Sequence, residues 1–258
     1  MAAPLSAAAG DIETKGNKTM KKIAIINLKG GVGKTTTTAN FAYNLGKEMK
    51  KVLVIDCDKQ GNLSRIFNRK GKTLAEVLTG KCSAAEAVIR TPYFCVDIIP
   101  ADINLLSANQ QLDRPDILGK ALEQLETEYD YCLFDCAPNI DMITLNVLAC
   151  ADEVIIPVKL DGFTEDGIKD ILEQVEGIKA INPGITFRGC LKTISTNSVY
   201  IGAFSGALEK KYKFFKTVIP YTKKVPESTV KGELLAKYSP RCGAAKAYKA
   251  FTTEYLEG

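Results

Sequence analysis

The chain has 258 residues, of which 46% are hydrophobic and 25% charged, and its 34 basic and 30 acidic side chains leave a net charge of +4. This is the make-up of an ordinary globular protein with enough chain for a sizeable core, and no run approaches the ~18 apolar residues that a membrane span needs. There is no histidine, which removes His-based acid–base and nucleophilic chemistry.

Residues 1–19 are alanine-rich and then polar, without the basic start and apolar core of a secretory signal. Met20-Lys21-Lys22 looks like a natural start, so 1–19 is expected to be a disordered extension or a leftover of expression. Residues 20–258 hold no long Gly/Ser/Pro linker and no repeat, which favours a single domain.

The first apolar run, Ile23-Ala24-Ile25-Ile26, leads into Lys29-Gly30-Gly31-Val32-Gly33-Lys34-Thr35-Thr36, and a helical segment follows from Thr36 to Met49. A strand, a glycine-rich turn and a helix N-terminus form a phosphate-binding loop. The three glycines let backbone N–H groups wrap an anion, and the helix dipole favours negative charge there. Gly30, Gly31, Val32, Gly33, Lys34, Thr35 and Thr36 are therefore the candidate nucleotide-binding residues. Lys34 would reach the β- and γ-phosphates, and the Thr35 hydroxyl would ligate Mg²⁺. The plain pattern wants a glycine five residues before Gly33, where this chain has Leu28 and then a second lysine, Lys29.

Further along, Val52-Leu53-Val54-Ile55-Asp56-Cys57-Asp58 reads as a buried parallel strand ending in acids. Residues 73–91 read as two short helices, 94–100 as a strand, and the stretch after Pro115 as a helix whose apolar set Leu118, Ala121, Leu122, Leu125 and Tyr129 keeps helical spacing. Tyr131-Cys132-Leu133-Phe134-Asp135 repeats the pattern of an apolar strand ending in aspartate. Helices are expected over 139–151, around Ile168–Ile178, near 201–213 and over 243–256. Strands are expected at 154–158, 186–195 and 216–220. The alternation implies an α/β fold, a mostly parallel twisted sheet with helices on both faces, and ligands at the carboxyl ends of its strands. Eight scattered cysteines without a Cys-x-x-Cys spacing read as small buried hydrophobes in a reducing cytosol.

Acids at strand ends beside a triphosphate loop point to a metal. Mg²⁺ keeps several waters and bridges phosphates, and Asp135 can hold one of those waters. Asp58 is the candidate to orient an attacking water and Asp56 to approach the metal shell, an order that the sequence alone leaves open.

Three segments now carry a resemblance: 29–36, Asp56-Cys57-Asp58-Lys59-Gln60-Gly61-Asn62 and Phe134-Asp135-Cys136-Ala137-Pro138. They resemble the signatures of the ParA/MinD deviant Walker-A ATPases, as do Ile219-Pro220, Glu227 and Ala247-Tyr248-Lys249-Ala250. The resemblance spans nearly all of 20–258 and implies the P-loop NTPase fold, with ATP and Mg²⁺ sandwiched in a homodimer. It also implies that Lys29 acts on the partner's nucleotide, in the logic of an arginine finger. Lys34 and Thr35 then bind phosphate and metal, Asp58 positions water, and Asp135 supports Mg²⁺. Three departures stand out: Lys59 replaces a usual proline, Asn139 follows Pro138, and the residues just after Ser195 lack the arginine that many chromosomal relatives carry there.

Within the family, charge separates the branches. Residues 204–241 hold nine bases and three acids, an excess of six that leaves the rest of the chain at minus two. A late basic surface suits non-specific DNA binding through phosphates, with Lys210, Lys211, Lys223 and Lys224 as candidate contacts. The C-terminal apolar set Ala244, Ala247, Tyr248, Phe251 and Tyr255 suits core packing better than a membrane-surface helix. The resemblance therefore implies a cytoplasmic, nucleoid-associated partition ATPase released from DNA by a ParB-like centromere-binding protein. The competing expectation is a MinD-like or cargo-positioning scaffold with little hydrolysis.

Overall fold

The computed structural model describes residues 19–258 without 68, 69, 126, 197 and 198, and without the side chains of 199–201. Apart from Thr19, the extension expected at 1–19 lies outside the described residues.

The chain begins with β1 (Lys21–Ile25), α1 (Lys34–Lys47), β2 (Val52–Cys57) and three short helices, α2 (Asn62–Ile66), α3 (Leu74–Leu78) and α4 (Ala84–Ala87). Next come β3 (Ile89–Arg90), β4 (Val96–Ile99), α5 (Leu105–Gln111), α6 (Ile117–Glu123), β5 (Tyr131–Cys136), α7 (Met142–Cys150) and β6 (Glu153–Val158). The chain closes with α8 (Thr164–Ile178), β7 (Thr186–Ser195), α9 (Val199–Glu209), β8 (Phe214–Pro220), α10 (Lys224–Val230), α11 (Leu235–Tyr238) and α12 (Gly243–Glu257).

The strands form one eight-stranded sheet in the order β3-β4-β2-β5-β1-β6-β7-β8. Among the described residues only the β3–β4 pairing is antiparallel. Side chains alternate across a strand, so each central strand feeds two cores. Ala24, Leu53, Ile55 and Phe134 pack with α3, α5, α6, α7 and α8 on one face. Ile23, Ile25, Val52, Val54 and Leu133 pack with α1, α2, α11 and α12 on the other. Burial on both faces explains why these strands read as continuous apolar runs. Helix α12 turns Ala244, Tyr248, Phe251 and Tyr255 into this second core, where Phe251 meets Phe41 and Phe215 with ring centroids 4.9 Å apart.

Capping marks several helix starts. Asp141 accepts the Thr144 N–H at 2.9 Å before α7, and Ser83 and Glu86 form a reciprocal capping box at α4. Sequence patterning misses the short elements β3, α2, α5, α10 and α11, although the equally short α3 and α4 show helical spacing. The helix expected to continue to Tyr129 stops at Glu123. Tyr129 is nevertheless buried, because its hydroxyl donates to Asp97 at 2.9 Å.

β1 is flanked by β5 and β6. From there the connections run to opposite sides of the sheet, which opens a crevice at its carboxyl end.

Candidate active site

The glycine loop fills that crevice. Gly31 and Gly33 have φ of +72° and +88°, the left-handed region that glycine enters without steric cost. The loop is tied to the sheet from below, because the buried Thr193 hydroxyl on β7 donates to the Val32 carbonyl at 2.7 Å. Helix α1 begins at Lys34 with no side-chain cap and no acid in its first turn. Its first N–H groups are thus left for an anion, with the dipole behind them.

Lys34 is largely buried, and its ammonium donates to the carbonyls of Asn27 at 2.9 Å and Lys29 at 3.1 Å. Burial lowers its pKa, an effect that Asp135 opposes. A cleft of about 390 Å³ opens above the loop. Gly30, Gly31, Gly33, Lys34, Thr35, Thr36 and Asp58 line its polar end. Ile219, Pro220, Tyr221, Val225, Pro226 and Tyr248 line the other. The apolar end is built by β8, the start of α10 and α12, far along the chain from the loop, and no local pattern announces it. Ile194, which also lines the cleft, has φ +53°, a strained conformation for a β-branched residue.

Asp56 and Asp135 face each other in register on β2 and β5, with exposures of 0% and 1%. Asp56 is saturated: it accepts from Ser64 N at 2.8 Å, Ser64 Oγ at 2.7 Å and Asp58 N at 3.2 Å. Ser64 Oγ also accepts the Ala101 N–H at 2.9 Å, so this acid knits β2 to α2 and to the exit of β4. Burial pushes its carboxyl up to about 6 despite the donors.

Asp135 accepts from Thr38 Oγ1 at 3.4 Å through one oxygen, and its buried Oδ2 has no partner. Burial and the neighbouring Asp56 raise it well above the usual carboxylate range, with Thr35 and Lys34 opposing. A buried carboxylate oxygen without a donor is costly. Beside Thr35 and a phosphate loop, it is the donor set that a hydrated divalent cation fits.

Asp58 lies at the cleft, in a turn closed by Gly61 N to Asp58 O at 2.8 Å. Lys59 occupies the second position of that turn, where proline is favoured but not required, so its departure from the family pattern leaves the turn intact.

Lys29 stands apart from this group. It does not line the cleft. Its ammonium pairs with Asp161 and lies 5.7 Å from the centre of the Phe163 ring. Asp161 follows the apolar strand β6 much as Asp58 follows β2.

The four late lysines do not form one spot. Lys210 and Lys211 precede β8 while Lys223 and Lys224 follow it, roughly 20 Å away along a seven-residue strand. Lys211 pairs with Glu165 and Lys224 with Glu227, each at 2.7 Å. Lys223 and Lys224 sit between Thr222 and Val225, both of which line the cleft.

A glycine loop at the head of a parallel sheet, with a buried strand-end acid behind it, defines a P-loop nucleotide-binding protein. A family profile described as an AAA domain matches residues 20–187. The chain is 32% identical over 245 residues to the chromosome-partitioning ATPase Soj of Treponema pallidum (strain Nichols), covering 92% of this chain and 97% of that protein. It is 33% identical over 240 residues to the sporulation initiation inhibitor protein Soj of Bacillus subtilis (strain 168), covering 88% and 95%. The solved structure of the septum site-determining protein MinD with Mg-ADP, from Pyrococcus horikoshii OT3, superposes with a TM-score of 0.80 at 25% identity, over 93% of this chain and 98% of that one. The chain belongs to the ParA/MinD-type P-loop ATPases.

Proposed function

We propose that this ATPase partitions DNA, with ATP and Mg²⁺ at the glycine loop, an ATP-dependent homodimer and non-specific DNA as its track. The observation that carries the reading is the contrast between the two loop lysines. Lys34 is buried at the cleft, whereas Lys29 does not line it and its ammonium pairs with Asp161. A lysine that cannot serve its own nucleotide is suited to serve the nucleotide of a second copy.

Bound Mg²⁺ would supply neutralisation of the phosphate charge. Thr35 and the unpaired oxygen of Asp135 would hold the hydrated ion, while Asp56 on the adjacent strand is held by its own donors from Ser64 and Asp58. The glycine loop and α1 bind phosphate oxygens through N–H groups, and Lys34 moves from its carbonyl partners to the phosphates. Asp58 orients the attacking water and accepts its proton. Lys29 of one protomer completes the charge stabilisation on the other.

Lys223 and Lys224, next to the cleft wall, would couple nucleotide state to DNA phosphates. Lys210 and Lys211 would extend the contact along β8. A ParB-like centromere-binding protein would stimulate hydrolysis and release the dimer from DNA, in a cytoplasmic, nucleoid-associated cycle. One observation weighs against the MinD-like membrane reading: Ala244, Tyr248, Phe251 and Tyr255 of α12 are packed in the core.

The deciding experiment compares ATP-dependent binding to unrelated DNA with binding to anionic liposomes. Retention on DNA alone is expected, and retention on liposomes alone overturns the partition reading. Lys29→Ala should keep ATP binding and lose hydrolysis by roughly 10³-fold. Hydrolysis at the parental rate ends the shared-site reading.

A further inference from the structure

The surroundings of Lys29 carry more than its direction. Its backbone N–H donates to Asn27 Oδ1 at 2.9 Å, and Asn27 Nδ2 donates to the Pro157 carbonyl on β6 at 2.8 Å. The backbone at Lys29 is therefore moored to the end of β6. The same strand leads, three residues further on, to Asp161. This acid is oriented without help from the lysine. Its Oδ1 accepts from Phe163 N at 3.1 Å, and its own N–H donates to the Thr164 hydroxyl at 2.8 Å. That hydroxyl donates in turn to the Lys159 carbonyl at 3.0 Å. The turn into α8 thus presents Oδ2 toward Lys29 ready-made.

Phe163 completes the arrangement. It is 73% exposed, costly for a phenylalanine with nothing else to do, and its ring lies under the ammonium. Together the two side chains offer a cation one full charge and one aromatic face.

We infer that Asp161 is a positioning residue for Lys29: with Phe163 it parks the lysine on its own protomer, and dimerisation must open this ion pair before Lys29 can act in trans. The inference rests on the reading of Lys29 as a trans-acting residue. The parking is reversible by design of its exposure. The two side chains are 40% and 33% exposed, and pairs of that kind shift an equilibrium only a few-fold. A buried pair would lock the lysine, and no acid at all would leave the cation free to bind any passing anion. Asp161 is held below the usual carboxylate range, since Lys29 and the turn donors exceed the upward push of burial. The acid therefore stays charged throughout the neutral range.

The test measures dimer formation of the full chain with ATP and Mg²⁺ by light scattering across protein concentration. Asp161→Asn keeps the acceptor for Phe163 N and removes the charge. It should lower the concentration for half-dimerisation about two- to five-fold, and leave the melting temperature of the nucleotide-free chain within about 2 °C. Asp161→Glu should restore the parental midpoint, and Phe163→Ala should shift it in the same direction as Asp161→Asn. In a Lys29→Ala background neither change should have any effect. An unchanged midpoint in Asp161→Asn, or an equal shift in the Lys29→Ala background, overturns the inference while leaving the trans reading standing. A Lys29→Ala variant that hydrolyses at the parental rate removes both together. Slower hydrolysis by Asp161→Asn at an unchanged midpoint would make Asp161 a helper in the reaction and overturn the parking role.

Discussion

The carboxyl ends of β2 and β5 lie side by side and each carries an aspartate one residue before its last, yet the two acids have opposite surroundings. Asp56 and Asp135 are register partners at equal depth. Three protein donors surround Asp56, whereas one oxygen of Asp135 has none. Burial raises both acids, so burial does not distinguish them. What differs is the chain that follows. After β2 it turns at once into α2 and returns Ser64 to the strand. After β5 it runs out through Pro138 toward the cleft and brings nothing back. The saturated acid ties β2 to α2, and the bare one keeps an oxygen free of protein donors.

The largest effect that can break this comparison is on hydrolysis. Asp135→Ala should slow it by roughly 100-fold or more, yet leave the nucleotide-free protein no less stable, because an unsatisfied buried oxygen has gone. A hydrolysis rate near the parental value would remove Asp135 from the metal site.

Asp56→Ala should do the reverse and cost about 3–5 kcal/mol in urea unfolding, by stranding the Ser64 donors. If its stability held while its Mg²⁺ requirement changed, Asp56 would belong to the metal shell and not to the scaffold.

Next comes pH. An acid whose folded pKa lies above its unfolded value binds more protons when folded, so its contribution to stability falls as pH rises from about 4 through 6. For Asp56, at about 6, this amounts to at most about 3 kcal/mol. The nucleotide-free protein should therefore resist urea better at pH 5.5 than at pH 8, and Mg²⁺ with ATP should recover more stability at pH 8. A nucleotide-free protein that is more stable at pH 8 would contradict the raised acids. Ser64→Ala should cost about 1–2 kcal/mol and leave hydrolysis within a few-fold. A loss as large as that of Asp135→Ala would show that the Asp56 network sets the position of Asp58.

Much of the site can be read in the chain because its parts are local. The glycine loop, Lys34, Thr35 and the strand-end acids each announce themselves within eight residues, since a tight turn and an apolar strand restrict which side chains can follow. The order of the apolar runs likewise implies a mostly parallel sheet with two covered faces, because strands buried on both sides leave no polar alternation. Late lysines counted together along the sequence separate in space, because β8 sets a strand's length between Lys211 and Lys223.

What only the tertiary structure decided are the partnerships across distance. Ser64 reaches Asp56, Thr193 supports Val32, α12 and β8 build the far end of the cleft, and Asp161 meets Lys29. Each depends on which strands become neighbours. That is settled by the packing of whole faces and leaves no trace in the spacing of any one segment.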